Sequence, residues 1–143
     1  NVLAVCICVL IIPAALMAAP QPVKQTTYLS YNPKTGQNDL QQNIAYQFPD
    51  PKKFGYGPYP LFVWTVATYE WNRDALSVTF MSQMAMRGFV GASVQYSNVN
   101  AVQLCPDYIN RAKSIFDSTR STSAVGVLCS LSGVNCGKRS RAG

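Results

Sequence analysis

The sequence predicts a single α/β domain in which an antiparallel edge hairpin is followed by a parallel βαβ unit. Two observations lead to this class. Two segments rich in strand-forming residues flank a turn, NPKTG, at residues 32–36. Further along, two apolar segments at residues 61–64 and 89–96 flank a helical pattern. A chain of 143 residues with 48% apolar and 13% charged residues has the composition of a globular domain.

The hairpin is predicted from residues 26–31 (TTYLSY) and residues 43–48 (NIAYQF). In the second segment, Ile44, Tyr46 and Phe48 recur at every other position, which is the period of a half-buried strand. The turn residues between the two segments favour antiparallel pairing at a sheet edge.

The βαβ unit follows a loop that is rich in Pro and Gly. Residues 61–64 (LFVW) are all apolar, as expected for a strand covered on both faces. A helix comes next, with Asn72 or Asp74 as its N-cap and Gly88 after its end. Its predicted apolar face consists of Leu76, Phe80, Met81, Met84 and Ala85. Residues 89–96 (FVGASVQY) then form a second buried strand, parallel to the first through a right-handed connection.

Two more helices are predicted after this unit. The first begins near Pro106, a residue type favoured in the first turn of a helix. Its apolar positions are Tyr108, Ala112, Ile115 and Phe116. The second spans about residues 123–131, with Ser121 or Thr122 as its N-cap and Gly133 after its end.

The first 19 residues carry no charge, which is typical of a secretory signal or of a membrane span. Pro13 and the small residues near the end of this run favour a signal peptide, with Leu16 and Ala18 at the −3 and −1 positions of a cleavage site. The chain is divided into a signal peptide at residues 1–18, a lead-in at 19–25, a domain at 26–138 and a basic tail at 139–143. We therefore expect a secreted protein without a membrane span after cleavage, and a membrane anchor is the alternative.

The net charge of +6 does not indicate a nucleic-acid partner. Three of the twelve basic residues lie in the last six positions, and the others are scattered along the chain. Basic residues interleaved with aromatic ones, the usual pattern of a nucleic-acid surface, do not occur. The oligomeric state stays open.

The cysteines downstream of the apolar segment are Cys105, Cys129 and Cys136. A disulfide between Cys129 and Cys136 would close a short loop and stabilise the fold by roughly 2–3 kcal/mol. Cys105 is then left over, either because its partner lies elsewhere or because it is a buried free thiol. The chain has no His, and its cysteine spacing does not fit zinc, so neither a metal nor a cofactor is expected.

The order of these elements resembles the N-terminal half of the α/β-hydrolase family. The resemblance rests on residues 58–65 (PYPLFVWT), 84–98 (MAMRGFVGASVQYSN) and 107–117 (DYINRAKSIFD), and it covers about residues 26–138. It implies a partial α/β-hydrolase fold with an incomplete sheet.

The resemblance also implies a role for the loop after the LFVW strand. In such enzymes this loop lends a backbone N–H to the oxyanion hole, and the matching positions are Val66, Ala67 and Thr68. Many members of the family have His-Gly or Gly-Gly there, whereas this chain has TVATY. The alternative is a loop that only joins the strand to the helix.

The residues of a serine hydrolase triad are not all present. The triad needs a His to take the serine proton, and these 143 residues contain none. No G-x-S-x-G occurs, and Ser93, in the nearest stretch GASVQ, lies in a predicted buried strand and is read as a core residue. Glu70 and Asp74 could form an acid–base pair, but their position at a helix start favours a capping role.

These observations predict an N-terminal fragment of a secreted serine ester hydrolase of the esterase or lipase type, inactive alone. Its parent would act on an ester or lipid-like small molecule. The fragment would be a truncated or mis-spliced product that stops before the nucleophile strand, and the exposed strand edges would make it prone to aggregation. The alternative is a secreted, non-catalytic α/β binding or interaction domain, for which the missing His needs no explanation.

Overall fold

A computed structural model describes residues 20–32, 35–66, 70–96, 111 and 113–141. The fold of these residues is mixed α/β, with a five-stranded sheet in the order β1-β2-β4-β3-β5. The expected signal peptide and Cys105 lie outside the described residues. Among the described residues, no helix is long and apolar enough to cross a membrane.

The predicted antiparallel hairpin is confirmed and is longer than the sequence indicates. It consists of β1 (Lys24–Asn32) and β2 (Gln37–Gln47). The turn is tight, since Gly36 has a φ of 70° and donates its N–H to the carbonyl oxygen of Asn32 at 2.9 Å. The first half of β2 was not predicted because it is polar and exposed, and it pairs with β1 through its backbone.

The predicted βαβ unit is also confirmed. A short helix, α1 (Pro51–Phe54), precedes it, and its N-cap Asp50 accepts the Lys52 N–H at 2.8 Å. The unit is formed by β3 (Tyr59–Thr65), α2 (Ala75–Ala85) and β4 (Val90–Val94), and its two strands are parallel. Gly88 follows α2 with a φ of +88°, the left-handed conformation expected of a glycine there.

The sheet has a fifth strand beside β3, although the sequence predicts an incomplete sheet in a chain that stops before the nucleophile strand. β5 (Val134–Arg141) pairs in parallel with β3, so that Tyr59 faces Val134 and Leu61 faces Arg139 across a register shift. The strand therefore crosses the expected start of the basic tail at Arg139. Its segment GKRSR has no apolar pattern, but parallel pairing uses backbone groups and does not require one.

The two faces of the sheet are covered by different helices. On one face, the apolar side chains of the strands pack against Ile115 and α3 (Ala124–Cys129). On the other face, Phe62 and Trp64 stack on Phe80 of α2, with ring centroids 6.0 and 4.4 Å apart. Because successive residues of a strand point to opposite faces, both faces being apolar explains the uninterrupted LFVW run.

Part of the chain between β4 and α3 is helical. Arg111 and residues 113–115 are helical, within the region of the predicted second helix, whereas Pro106, Tyr108 and Ala112 lie outside the described residues. The third predicted helix is present as α3, but the prediction of Ser121 or Thr122 as its N-cap was wrong. Ser123 is the cap, and its hydroxyl oxygen accepts the N–H of Gly126 at 2.9 Å.

The predicted disulfide between Cys129 and Cys136 is confirmed, with Cα atoms 5.7 Å apart. It joins the end of α3 to the start of β5 across the turn at Gly133, which has a φ of +88°. The carbonyl oxygen of Gly133 accepts the N–H of Tyr59 at 2.8 Å. The disulfide therefore holds the turn that leads into the β3–β5 pairing.

Replacing both Cys129 and Cys136 with serine is expected to lower the free energy of unfolding by roughly 2–3 kcal/mol, because the unfolded chain loses a constraint on its short loop. Urea unfolding followed by far-ultraviolet circular dichroism measures the difference. Wild-type protein unfolded in the presence of dithiothreitol is the matched control and should show the same shift. Equal midpoints for the oxidised protein and the double variant would contradict the prediction.

Candidate functional site

The candidate site lies at the carboxyl edge of β3 and β4. The helix that follows β3, α2, packs on one face of the sheet, whereas residues 113–115 and α3, which follow β4, pack on the opposite face. In open α/β sheets, ligands bind outside the carboxyl ends of strands where the connections diverge in this way. The loop after β3 and the residues that follow β4 meet at this place.

The three predicted oxyanion candidates are not equivalent. Val66 is only 2% exposed, and its N–H donates to the carbonyl oxygen of Val94 at 3.3 Å. That N–H thus prolongs the pairing of β3 with β4 and already has an acceptor. Ala67 and Thr68 lie outside the described residues, so an oxyanion role for their N–H groups stays a prediction.

Ser93 is a core residue, as predicted. It is fully buried in β4 and lies opposite Trp64 in the pairing with β3, on the face covered by α2. A serine in the middle of a paired strand is not placed on a strand-to-helix turn, where a nucleophile would be exposed.

Glu70 and Asp74 have structural contacts at the start of α2. Asp74 occupies the N-cap position, as one of the two predicted alternatives. Its Oδ2 atom accepts the backbone N–H of Trp71 at 2.8 Å, instead of an N–H of the first helical turn. The backbone carbonyl of Glu70 accepts a hydrogen bond from the side chain of Gln95 at 3.2 Å.

Gln95 is the residue of this site that the sequence did not reveal. It follows β4, is 6% exposed, and its side-chain amide contacts the loop after β3 at two points. The sequence signal for it is a polar residue directly after the buried strand VGASV. Its partners are 23 and 25 residues away in the sequence, so no local pattern predicts the contacts.

Tyr28 connects the site to the edge hairpin. Its hydroxyl donates to the carbonyl oxygen of Gln95 at 2.8 Å, although Tyr28 is in β1. Burial raises the pKa of the Tyr28 phenol well above its ordinary value, and the nearby Arg111 opposes this only in part. The hydroxyl therefore stays protonated, and remains a hydrogen-bond donor, at neutral and mildly alkaline pH.

Several buried polar atoms near the site have no hydrogen-bond partner in the described structure. They lie on the side of the sheet that α2 covers: Trp64 Nε1, Asn72 Nδ2, Ser77 Oγ and Ser93 Oγ. Buried polar atoms without a partner are uncommon in folded proteins. Among the described residues, these atoms on the α2 side of the sheet therefore have unused hydrogen-bonding capacity.

A separate cavity opens at the opposite edge of the sheet, near the amino ends of β3 and β5. It has a volume of about 270 Å³, and its lining includes Lys24, Phe48, Tyr56, Tyr59 and Gly133. The Lys24 ammonium lies 5.5 Å from the centre of the Phe48 ring. Aromatic surface beside a cation suits a small apolar ligand that carries a negative charge.

Metal binding finds no support among the described residues, where no group of three His, Cys, Asp or Glu side chains could hold an ion. Comparisons with protein-family models, with curated proteins and with solved structures found no match. Fold and site define a mixed α/β protein with a polar loop at the carboxyl edge of two parallel strands.

Proposed function

We propose that the chain forms the N-terminal part of a secreted serine ester hydrolase of the α/β-hydrolase family, and that its loop after β3 contributes to the oxyanion hole. The observation that carries the proposal is the parallel pairing of β3 with β5. Parallel neighbours have their carboxyl ends at the same edge of the sheet. A residue that follows a strand in the position of β5 would therefore face the loop that follows β3.

This arrangement suits acyl transfer. A nucleophilic serine on a turn after a strand and backbone N–H groups on a neighbouring loop must lie on the two sides of the reacting carbonyl carbon. The oxygen of that carbonyl becomes negatively charged as the serine attacks. N–H groups fixed by a rigid sheet stabilise this charge without having to reorganise.

The chain supplies only part of this machinery. These 143 residues contain no His, so the general base that takes the serine proton must come from sequence outside them. The same holds for the nucleophile, because no G-x-S-x-G is present and Ser93 is buried in a strand. We therefore expect the chain alone to be inactive.

The proposed substrate is an ester, including lipid-like esters, and the proposed location is extracellular. The uncharged segment at residues 1–18 supports secretion. The disulfide between Cys129 and Cys136 is compatible with an oxidising compartment.

The proposal is tested by translating, in all frames, the transcript that follows the codon for Lys138. We expect apolar residues that continue β5 and lead into a G-x-S-x-G sequence, with a His further downstream. The longer protein should hydrolyse p-nitrophenyl esters, and changing the serine of that sequence to alanine should abolish the activity. The 143-residue chain is the second control and should not exceed the rate in buffer. A transcript without such a sequence in any frame would overturn the proposal.

The alternative, a secreted α/β binding domain, is favoured by the cavity at the amino edge of β3 and β5. Binding a ligand in that cavity requires neither a His nor a nucleophile. Titration of the 143-residue chain with an aryl carboxylate, with Lys24→Met as the control variant, distinguishes the two. Saturable binding that the substitution abolishes supports a binding domain, and no binding at millimolar ligand counts against it.

A further inference from the structure

The loop after β3 is attached to the end of β4 at both of its ends. Val66, at one end, donates its N–H to the carbonyl oxygen of Val94. Glu70 and Asn72, at the other end, are bound by the side chain of the next residue, Gln95. We propose that Gln95 is a positioning residue that fixes this loop at the carboxyl edge of the sheet. The relevance of Gln95 to catalysis rests on the proposed function, whereas its hydrogen bonds to the loop do not.

The side chain of Gln95 uses both halves of its amide for this purpose. Its Oε1 atom accepts the N–H of Asn72 at 3.0 Å, and its Nε2 atom donates to the carbonyl oxygen of Glu70 at 3.2 Å. A second, longer contact runs from Nε2 to the carbonyl oxygen of Tyr96 at 3.4 Å. Because Gln95 is 6% exposed, water competes little for these partners.

The backbone of Gln95 anchors it in turn to the edge hairpin. Its N–H donates to the carbonyl oxygen of Asn43 in β2 at 2.9 Å, and its carbonyl oxygen accepts the hydroxyl of Tyr28 in β1 at 2.8 Å. The loop is therefore held through Gln95 by three strands, β1, β2 and β4. The described ends of the loop, Val66 and residues 70–72, are thus fixed relative to the sheet, which the proposed function requires of a loop that supplies an oxyanion donor.

The role depends on the amide and not only on the size of the side chain. Glutamate at position 95 would keep the acceptor for the Asn72 N–H but would place a carboxylate oxygen against the carbonyl oxygen of Glu70. Protonation would restore a donor, now an O–H, toward that carbonyl. The ordinary pKa of glutamate is about 4.3, and burial raises it, so the donor returns as the pH falls toward about 5.

A matched control is available at the other end of the sheet. Gln47 is 5% exposed, its Nε2 atom donates to the carbonyl oxygen of Gln21 at 2.6 Å, and its Oε1 atom accepts the hydroxyl of Ser82 at 2.9 Å. Gln47→Glu thus makes the same chemical change in a similarly buried glutamine that does not contact the loop after β3.

The experiment is hydrogen exchange of the backbone amides of residues 70–72 in the 143-residue chain, corrected for the intrinsic pH dependence of exchange. In Gln95→Glu at pH 7.5, repulsion between the carboxylate and the carbonyl oxygen of Glu70 is expected to displace the loop, so that the Asn72 N–H also loses its acceptor. The amide of Asn72 should then exchange roughly tenfold faster than in the wild type, as the loss of one net hydrogen bond predicts. At pH 5 the difference should shrink to within about twofold, since the restored O–H donor makes one bond again. Gln47→Glu should leave these amides unchanged at both pH values.

Two results would overturn the inference: unchanged protection of Asn72 in Gln95→Glu at pH 7.5, or equal loss of protection in Gln95→Glu and Gln47→Glu. If Gln95→Glu does not fold at pH 7.5, Gln95→Met replaces it, and a pH-independent loss of protection at residues 70–72 is expected. Exchange requires no enzymatic activity, so a transcript without a nucleophile sequence would refute the hydrolase proposal and leave this result untouched.

Discussion

Replacing Gly91 with alanine is expected to destabilise the fold by about 3 kcal/mol or more, a large change for a single methyl group. A Cβ atom at Gly91 would lie 2.5 Å from the carbonyl oxygen and 2.9 Å from the Cα atom of Met81 in α2. Both are backbone atoms, so no rotation of a side chain can relieve the clash. The helix would have to move away from β4, and the stacking of Phe80 on Trp64 would be lost with it.

Gly137→Ala is the control for this prediction. It makes the same chemical change in β5, where an added Cβ would meet only the side-chain oxygen of Asn135 at 3.3 Å. Since glycine weakens a strand interior by roughly 0.5–1 kcal/mol relative to alanine, this variant should be as stable as the wild type or slightly more stable. Urea unfolding followed by circular dichroism compares the three proteins. A Gly91→Ala protein as stable as the wild type would mean that α2 does not lie this close to β4.

The sequence carries strong signals for the elements whose side chains face an apolar layer. Ile44, Tyr46 and Phe48 alternate, and the second half of β2 was predicted from them. The LFVW run is apolar at every position because α2 covers one face and α3 with Ile115 covers the other. Such patterns report burial directly, which explains why the hairpin and the parallel pair could be predicted from the sequence.

The missed features depend on backbone groups or on distant partners. β5 contains Lys138, Arg139 and Arg141 and has no strand pattern, yet its backbone pairs with β3. Ser121, Thr122 and Ser123 are three consecutive capping residue types, and the sequence does not distinguish which one begins α3. In the candidate site, Val66 was predicted as a candidate oxyanion donor. Only the structure shows that its N–H donates to the carbonyl oxygen of Val94.

The second prediction follows from the hydrogen bond that the Val66 N–H donates to Val94. In the longer ester hydrolase that we propose, the oxyanion donor must come from Ala67 or Thr68. Ala67→Pro and Thr68→Pro each remove one backbone N–H, and we expect one of them to lower kcat by roughly 10²–10³-fold with little change in KM. A donor that acts on the charged oxygen of the transition state affects kcat in this way, because the neutral ester gains less from it.

Thr68→Ala is the matched control, since it removes the hydroxyl and methyl groups of Thr68 and retains the N–H. Its kcat should stay within about threefold of the wild type if the backbone is the donor, whereas loss of a side-chain donor would cost about as much as the proline variants. Ala67→Pro retains the N–H of Val66, which donates to Val94. Two folded proline variants with wild-type kcat would place the oxyanion hole outside this loop, and Gln95 would then position a loop without a catalytic role.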